Sequence, residues 1–339
     1  MATLFAFNPE HDLALAADSI AFTPPAAVGL LKKSLSLLPA IYAANGDFIL
    51  VGEDFQSGNI NSLPYQELVK SKKLSVVKLS ELPKQKGNIS KIIPWGWNKT
   101  ITNELSNAGI SPLLLPTDQQ LSNIRRLSHR LTAIRLREFL AKSDEKLSLK
   151  MPKELFDLQD LEDFLKLHSH SFFKAPWSSS GRGIVCSSHI SPKGLMEWAH
   201  GVIKKQGSLI AEPAWEKSLD FATEWWISKG EAKFIGFSVF KASSRGKYHG
   251  NIEGTQEKLK EIIKTDCPGF DPSLIELQRL GLNAILGTDY SGPLGIDMLS
   301  DSEGNVNPCV EINLRLTMGF INIPEGRKIL QESNSIFQS

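Results

Sequence analysis

Cysteine and long apolar runs are both scarce in this sequence of 339 residues. Its three cysteines, Cys186, Cys267 and Cys309, stand far apart with no C-x-x-C spacing, which argues against a disulfide framework and against a thiolate zinc site. No stretch approaches the ~20 apolar residues that a membrane-spanning helix needs, and no long apolar run precedes Asn8. We therefore expect a soluble, cytoplasmic protein.

A surplus of charge is also missing. The chain has 38 Lys and Arg against 37 Asp and Glu, a formal net charge of +1. The chain therefore has no overall positive electrostatic field that would attract nucleic acid or an acidic membrane, and a small-molecule partner is favoured. The length suits two or three packed units of ordinary domain size, and the oligomeric state stays open.

Short apolar runs alternate with helical stretches in the first third of the chain. The strands that we predict there are 4–7, 48–51, 75–77 and 91–93. This alternation is typical of a mostly parallel α/β sheet, in which the carboxyl ends of the strands open onto the ligand crevice. We predict an N-terminal α/β domain over residues 1–116, with the polar loops 8–12 and 95–98 at that edge of the sheet.

The pattern changes after residue 116. Residues 117–141 are strongly helical, and longer strands then follow in hairpin-like succession at 171–174, 183–186, 208–212, 221–227 and 232–240. Such an order is typical of an α+β fold. The polar segment 241–250 suits a mobile loop over a ligand as well as it suits plain solvent exposure.

Lys174 and the small residues behind it are the first chemical signal. A lysine that ends a strand is followed by a Ser/Gly segment, 178–183, whose backbone N–H groups are able to wrap phosphates. The spacing is not that of a Walker A loop, and it also fails the dinucleotide fingerprint. Taken alone, the segment is equally well explained as a flexible hairpin turn.

The second signal is a group of oxygen-bearing side chains near the end of the chain. Because alternate residues of a strand share a face, we expect Glu311, Asn313 and Arg315 to point the same way, joined by Asp297 from the predicted strand 294–299. Apolar residues between them mark the opposite face as core. Carboxylate and amide oxygens are hard ligands of the kind that Mg²⁺ prefers, which predicts a magnesium site here.

Together these two segments resemble the ATP-grasp superfamily, in the same order along residues 117–320. The resemblance implies an ATP-grasp fold in two subdomains, 117–212 and 213–339, behind a pre-ATP-grasp, Rossmann-like N-terminal domain. It implies ATP and Mg²⁺ as cofactors, with Glu212 lining the adenine pocket and Asp220 binding the ribose. Arg130 stands where the family usually has a phosphate-binding lysine, and arginine keeps the charge while adding bidentate geometry.

The resemblance assigns a role to each of these residues. The nucleotide-binding set is Arg130, Lys174, Ser178, Ser179, Ser180, Gly181, Arg182, Gly183, Glu212 and Asp220. The metal-binding set is Asp297, Glu311 and Asn313, and the catalytic set is Arg315 and Lys174.

Further polar residues are candidates for substrate binding. The acids and the histidine of loop 8–12 are equally well explained as caps of the helix that follows. A tryptophan at the sheet edge is able to stack a substrate, although buried aromatics are more often part of the core. For the residues near 250, the loop position slightly favours contact with a substrate over simple solvent exposure. The candidate substrate set is Asn8, Glu10, His11, Asp12, Trp97, Tyr248 and Asn251.

The resemblance implies a ligase reaction, in which ATP activates a substrate carboxylate as an acyl phosphate and an amine displaces the phosphate. The substrates would be small molecules or peptides that carry a carboxylate and an amine. No G-x-S-x-G or Cys/His signature is visible, and the reaction requires no side-chain nucleophile. Two alternatives are an ATP-grasp kinase of small molecules and a nucleotide-binding regulatory module. The kinase stays open because the acceptor would be read by the first third of the chain, which lies outside the resemblance. The full set of Asp297, Glu311, Asn313 and Arg315 weighs against a module that only binds nucleotide.

Overall fold

The structure, a computed structural model, describes residues 2–56, 63–145, 147, 149–178, 181, 183–242 and 248–333. Within these residues the strands form one parallel and two antiparallel sheets. The strands are β1 (Ala2–Ala6), β2 (Phe48–Val51), β3 (Ser75–Lys78), β4 (Ile89–Pro94), β5 (Lys153–Leu155), β6 (Ser171–Lys174), β7 (Ile184–Cys186), β8 (Leu209–Pro213), β9 (Lys217–Ser228), β10 (Glu231–Ala242), β11 (Tyr248–Asn251), β12 (Gly292–Asp301) and β13 (Val306–Asn313).

Helices connect these strands and cover the sheets. They are α1 (His11–Ala17), α2 (Ala26–Ser34), α3 (Leu63–Ser71), α4 (Leu82–Gln85), α5 (Lys99–Asn107), α6 (Asp118–Leu127), α7 (Leu131–Ser143), α8 (Leu158–Leu167), α9 (Pro192–Gln206), α10 (Gln256–Asp266), α11 (Ser273–Leu286), α12 (Met318–Asn322) and α13 (Pro324–Glu332). Short 3-10 turns lie at Leu38–Ile41, Leu79–Glu81, Lys86–Asn88, Pro112–Leu114 and Ser187–His189. None of the described helices is long and apolar enough to cross a membrane.

The N-terminal sheet is parallel, in the order β3-β2-β1-β4, which confirms the predicted α/β class for this part of the chain. Its central strands are buried apolar runs, as expected when helices cover both faces of a parallel sheet. All four strands run the same way, so their carboxyl ends meet at one edge. The loops that follow β1 and β4 are therefore neighbours.

The remaining sheets are antiparallel and confirm the α+β class. The larger has the order β11-β10-β9-β12-β13, and the smaller has the order β5-β8-β6-β7. In the larger sheet Asp297 lies opposite Glu311, and Gly295 lies opposite Asn313. Directly paired residues share a face, so the predicted acids lie side by side. The strands β5 and β11 had no signal strong enough to be predicted from the sequence.

The helical region 117–141 is two helices rather than one. Thr117 begins α6 with a reciprocal capping box to Gln120, and α6 ends at Leu127. The backbone turns at residues 128–130, where the N–H of Arg130 donates to the carbonyl of Pro176 at 3.2 Å. This break places Arg130 at the start of α7, next to the loop that follows β6.

The hydrophobic core joins the two ends of the chain. Phe5 and Ile93 of the parallel sheet pack in one cluster with Leu316 and Phe320, which follow β13. The smaller antiparallel sheet has a separate cluster whose described members all lie within residues 155–211. The division of the chain at residues 116 and 212 stays a prediction.

Candidate active site

A buried ion cluster lies where the smaller sheet meets α7. Glu212, on β8, accepts a hydrogen bond from Arg137 at 2.6 Å and pairs directly with Lys174. Asn307 donates to the same carboxylate at 3.2 Å, while Arg137 also donates to the carbonyl of Cys309 at 2.5 Å. Burial by itself raises the pKa of Glu212, yet the charges of Arg137 and Lys174 lower it to about 2. We call Lys174, Arg137, Glu212 and Asn307 the Glu212 end of the site.

Arg130 connects the loop after β6 with β13. Its guanidinium donates to the Ser178 hydroxyl at 3.1 Å and to the Ala175 carbonyl at 3.1 Å, and it pairs with Glu311 at 2.9 Å. Its Nη1 is buried and has no hydrogen-bond partner among the described residues. The predicted phosphate-binding arginine therefore lies between the predicted phosphate loop and a predicted metal ligand, with one donor group unused.

The loop after β6 requires glycine at two positions. Gly181 and Gly183 have φ values of 74° and 68°, in the left-handed region that other residues rarely adopt. A Cβ on Gly183 would also lie 2.9 Å from that of Ser178. The Gly183 carbonyl accepts from the N–H of Ala175 at 2.8 Å and closes the loop. Ser179, Ser180 and Arg182, which belong to the predicted nucleotide-binding set, lie outside the described residues.

Acidic side chains gather at the other end of β13. Asn313 donates to Asp297 at 3.1 Å and accepts from Arg315 at 2.9 Å. Burial, followed by the negative charges of Glu311 and Glu224, raises the pKa of Asp297 to about 8. We call Asp297, Glu224, Glu311, Asn313 and Arg315 the Asp297 end of the site.

The Asp297 end has ligands of the type that Mg²⁺ prefers. The predicted ligands are two carboxylates and an amide. Among the described residues no group of three His, Cys, Asp or Glu side chains is placed to hold a metal ion by itself. Mg²⁺ commonly takes only one or two protein carboxylates and completes its octahedron with phosphate oxygens and water. A cation would also relieve the repulsion that raises the pKa of Asp297. The residues therefore fit this metal ion.

Glu224 was not among the residues predicted from the sequence. It is 1% exposed, accepts from Thr317 at 2.7 Å and from Ser238 at 2.9 Å, and shares a face of the sheet with Asp297. Burial raises its pKa to about 7. A Cβ on Gly295 would lie 2.9 Å from its carboxylate, so glycine leaves the room that Glu224 occupies. The available signal was a single acid within the apolar predicted strand 221–227.

Arg315 lies two residues beyond the end of β13, so the prediction that it extends the same strand is wrong. The chain bends there, and the guanidinium still returns to Asn313. Arg315 also donates to Asp12 at 3.0 Å, and the N–H of Leu316 donates to the Trp95 carbonyl at 2.9 Å. The carboxyl edge of the parallel sheet therefore contacts the Asp297 end.

The acids of loop 8–12 do not act as helix caps. Glu10 occupies the N-cap position of α1, yet its side chain makes no capping hydrogen bond and instead pairs with Lys32 at 2.6 Å. Asp12 pairs with Arg315. The two acids are only two residues apart, but they face different partners.

The other candidates at this edge are buried. Asn8 exchanges hydrogen bonds with the backbone of Gly96 at 2.8 and 3.3 Å, and His11 is 1% exposed beneath the same glycine. Burial lowers the pKa of His11 to about 4, so the ring is neutral at pH 7. Trp97 is 6% exposed and packs in the hydrophobic core, where it offers a ligand little surface.

The remaining candidates lie on the larger sheet. Asp220 is hydrogen-bonded by Lys217 at 2.6 Å, and Asn251 lies across from Phe240, which itself lies across from Asp220. Because paired residues share a face, Asp220 and Asn251 are on the face that carries Glu224 and Asp297. The backbone of Tyr248 begins β11, and its side chain lies outside the described part of the structure.

Solved structures with this architecture are distant in sequence. N5-carboxyaminoimidazole synthetase from Staphylococcus aureus, complexed with ADP, is 12% identical over 100% of this chain and 79% of that chain, with a TM-score of 0.54. Biotin carboxylase from Campylobacter jejuni, in a β,γ-ATP complex, is 11% identical over 97% and 70%, with a TM-score of 0.55. The biotin carboxylase domain of the Hydrogenobacter thermophilus 2-oxoglutarate carboxylase, with MgADP, ADP and bicarbonate, is 13% identical over 100% and 71%, with a TM-score of 0.57.

These similar structures are ATP-grasp proteins, and the chain has the ATP-grasp fold. No family model matches the sequence, and no curated protein matches it either. The similarity to known proteins is therefore one of fold, and the chemistry has to be inferred from this chain's own residues.

Proposed function

We propose that the protein is an ATP- and Mg²⁺-dependent ligase that activates a substrate carboxylate for amide bond formation with an amine. The observation that carries this proposal is the arrangement of partners along β13. Asn307 contacts the Glu212 end, Glu311 contacts Arg130, and Asn313 contacts Arg315. Residues of one strand thus contact, in sequence, the predicted nucleotide-binding, metal-binding and charge-neutralising groups.

Each side chain has a task in this proposal. Lys174 and Arg130 hold the phosphates of ATP, and Arg315 neutralises charge on the transferred phosphoryl group. Asp297, Glu311 and Asn313 hold Mg²⁺, which supplies positive charge beside the phosphates when it is bound. In the structure Arg130 pairs with Glu311 and Lys174 pairs with Glu212. Nucleotide binding would therefore exchange these internal ion pairs for phosphate contacts.

The proposed reaction has two steps. A substrate carboxylate oxygen bonds to the γ-phosphorus of ATP, the bond from that phosphorus to the bridging oxygen breaks, and ADP leaves. An amine nitrogen then bonds to the acyl carbon, the carbon–oxygen bond to phosphate breaks, and the nitrogen gives up a proton. Neither step needs a covalent bond to the protein, so catalysis depends on positioning and charge stabilisation.

Measurement of ADP release with candidate carboxylates, with and without added amines, tests this proposal. We expect release to require both a carboxylate and an amine, and we expect Glu311→Gln or Asn313→Ala to lower it by at least ~10²-fold while unfolding stays cooperative. Glu325→Gln is a matched control, because Glu325 pairs with Lys233 in an exposed ion pair at 2.8 Å. ADP release at the wild-type rate in both variants of β13 would remove the metal assignment. Amine-independent release with a stable phosphorylated product would identify a kinase.

A further inference from the structure

A second concave region lies in the N-terminal part of the chain. It is a cavity of about 630 Å³ at the carboxyl ends of β1 and β2, with α2 along one side. Ligand pockets commonly have volumes of ~300–1,000 Å³, and parallel sheets bind ligands beyond the carboxyl ends of their strands. Of the residues predicted from the sequence as site residues, Asn8 lines this cavity.

The wall of the cavity is mostly apolar. Phe7, Val51, Phe55 and Ile101 contribute to it from the strand ends, the following loop and α5. On α2, Gly29 leaves space, because a Cβ added there meets no atom within 4 Å. The cavity therefore has room and apolar surface for a hydrocarbon body.

Two lysines and two acids line the cavity, and three of these four side chains have ion-pair partners, one of which, Glu10, lies outside the lining. Lys32 pairs with Glu10 at 2.6 Å, and Lys33 pairs with Asp54 at 2.5 Å. Glu104 also lines the cavity, but its side chain makes no hydrogen bond or ion pair with the described residues. Burial raises the pKa of Glu104, the positive charge of Lys32 offsets this only in part, and the negative charge of Glu10 adds to it. Glu104 is therefore the lining acid that has no ion-pair partner within the described part of the chain.

Two further polar atoms in this part of the molecule lack hydrogen-bond partners among the described residues. The hydroxyl of Ser36 lines the cavity, is buried in a residue that is 6% exposed, and has no hydrogen-bond partner among the described residues. Outside the lining, the second carboxylate oxygen of Glu10, the ion-pair partner of Lys32, is also buried with no hydrogen-bond partner among the described residues. Buried polar atoms of this kind cost free energy until a donor reaches them. Each of these three groups is able to accept a hydrogen bond.

We propose that this cavity binds a small molecule in which a primary amine is attached to an apolar body. The amine supplies the positive charge and the N–H donors that Glu104 and Ser36 lack, and the body covers the apolar wall. That this small molecule serves as the amine substrate of the ligase reaction rests on the proposed function. The segment that contributes Asn8 to the cavity continues directly into α1, where Asp12 contacts Arg315 at the Asp297 end.

Calorimetric titration of the full chain with n-hexylamine, n-hexanol and hexanoate tests the chemical class. These probes share one apolar body and differ in the head group. We expect hexylamine to bind at least ~10-fold more tightly than hexanol, since a charged hydrogen bond adds this much, and hexanoate to bind more weakly still. Glu104→Gln should reduce the affinity for hexylamine to that for hexanol. Equal binding of hexylamine and hexanol to the wild type, or no binding of any probe, overturns the proposal.

A pair of glycine variants tests the location. Gly29→Leu fills the cavity from α2, while Gly201→Leu in α9 makes the same change at another helical position where a Cβ meets no atom within 4 Å. Both changes favour the helix by ~1 kcal/mol, so neither should unfold the chain. We expect Gly29→Leu to weaken hexylamine binding at least ~10-fold and Gly201→Leu to leave it within ~2-fold of wild type. Wild-type binding by Gly29→Leu places the probe elsewhere and overturns the proposal.

ATP binding, measured in the same variants, separates this inference from the proposed function. We expect Gly29→Leu and Glu104→Gln to bind ATP as the wild type does. If the wild type binds hexylamine but not ATP, the cavity is a ligand site and the proposed ligase function fails. If it binds ATP but prefers hexanoate to hexylamine, the proposed function survives and the amine assignment fails.

Discussion

The two ends of the candidate active site shift the pKa of a buried carboxylate in opposite directions. Burial raises the pKa of both Glu212 and Asp297, but Glu212 lies between Arg137 and Lys174 and its pKa falls to about 2. The neighbours of Asp297 include Glu311 and Glu224, and its pKa rises to about 8. The sign of the neighbouring charges therefore decides the outcome. The Glu212 end is a satisfied ion cluster, whereas at the Asp297 end burial and the neighbouring acids oppose the ionisation of Asp297, which a bound cation would favour.

The largest expected effect on stability is at the Glu212 end. Glu212→Gln removes the carboxylate that pairs with two buried cations, and we expect it to lower the free energy of unfolding by ~3–5 kcal/mol. Urea denaturation measures this change. Glu325→Gln, which breaks an exposed ion pair, should cost less than ~1 kcal/mol. A loss of similar size in both variants would mean that the buried cluster contributes no more than a surface pair.

An effect of intermediate size is expected on the pH dependence of the free energy of unfolding, and Glu224 is the residue expected to cause it. Its pKa in the folded chain is about 7, above the usual 4.5, so the folded state binds more protons than the unfolded state between these values. Its contribution to stability is therefore present below pH 4.5 and is lost as the pH rises through 7. We expect Glu224→Gln to remove a loss on the order of 3 kcal/mol between these limits, measured by denaturation across the range. Parallel pH profiles for the wild type and the variant would contradict this.

The smallest expected effect is the response of the Asp297 end to Mg²⁺ without nucleotide. Binding to the folded state alone raises stability, by ~1 kcal/mol when the metal concentration is several times Kd. We expect this gain in the wild type and its loss in Asp297→Asn, measured by thermal unfolding. Asp289→Asn is the matched control, because Asp289 pairs with Arg126 at an exposed position. An equal gain in all three proteins would show that Mg²⁺ acts elsewhere.

Much of the fold was predictable because its signals are local. The strands β2 and β6 begin and end at the predicted residues, and the predicted acids of β12 and β13 lie side by side. The sequence predicted residues 117–141 only as a helical region, because residues 128–130 are compatible with a helix, and the contact of Arg130 with Pro176 at the break between α6 and α7 comes from tertiary packing.

The ion partners were less predictable because they are far apart in the chain. Arg137 and Glu212 are 75 residues apart, and Arg315 and Asp12 are 303 residues apart. Periodicity does show that Arg137 falls on the apolar face of α7, beside the buried Leu136 and Leu140, which marks it as a buried charge. Periodicity does not identify the carboxylate that pairs with Arg137. The cavity beside α2 left no motif, since its walls come from several separate segments.

The distribution of the hydrophobic clusters limits how the cleft is able to open. The parallel sheet and the segment after β13 share one core, so separating them would expose Phe5, Phe320 and their neighbours to water. The smaller sheet has a core of its own, within residues 155–211. A displacement of the smaller sheet as a unit would therefore separate polar contacts, such as that between Arg130 and Ser178, and would leave its own apolar cluster intact. Under the proposed function, such a displacement would admit the nucleotide, while the shared core would keep Asp12 and Arg315 in contact.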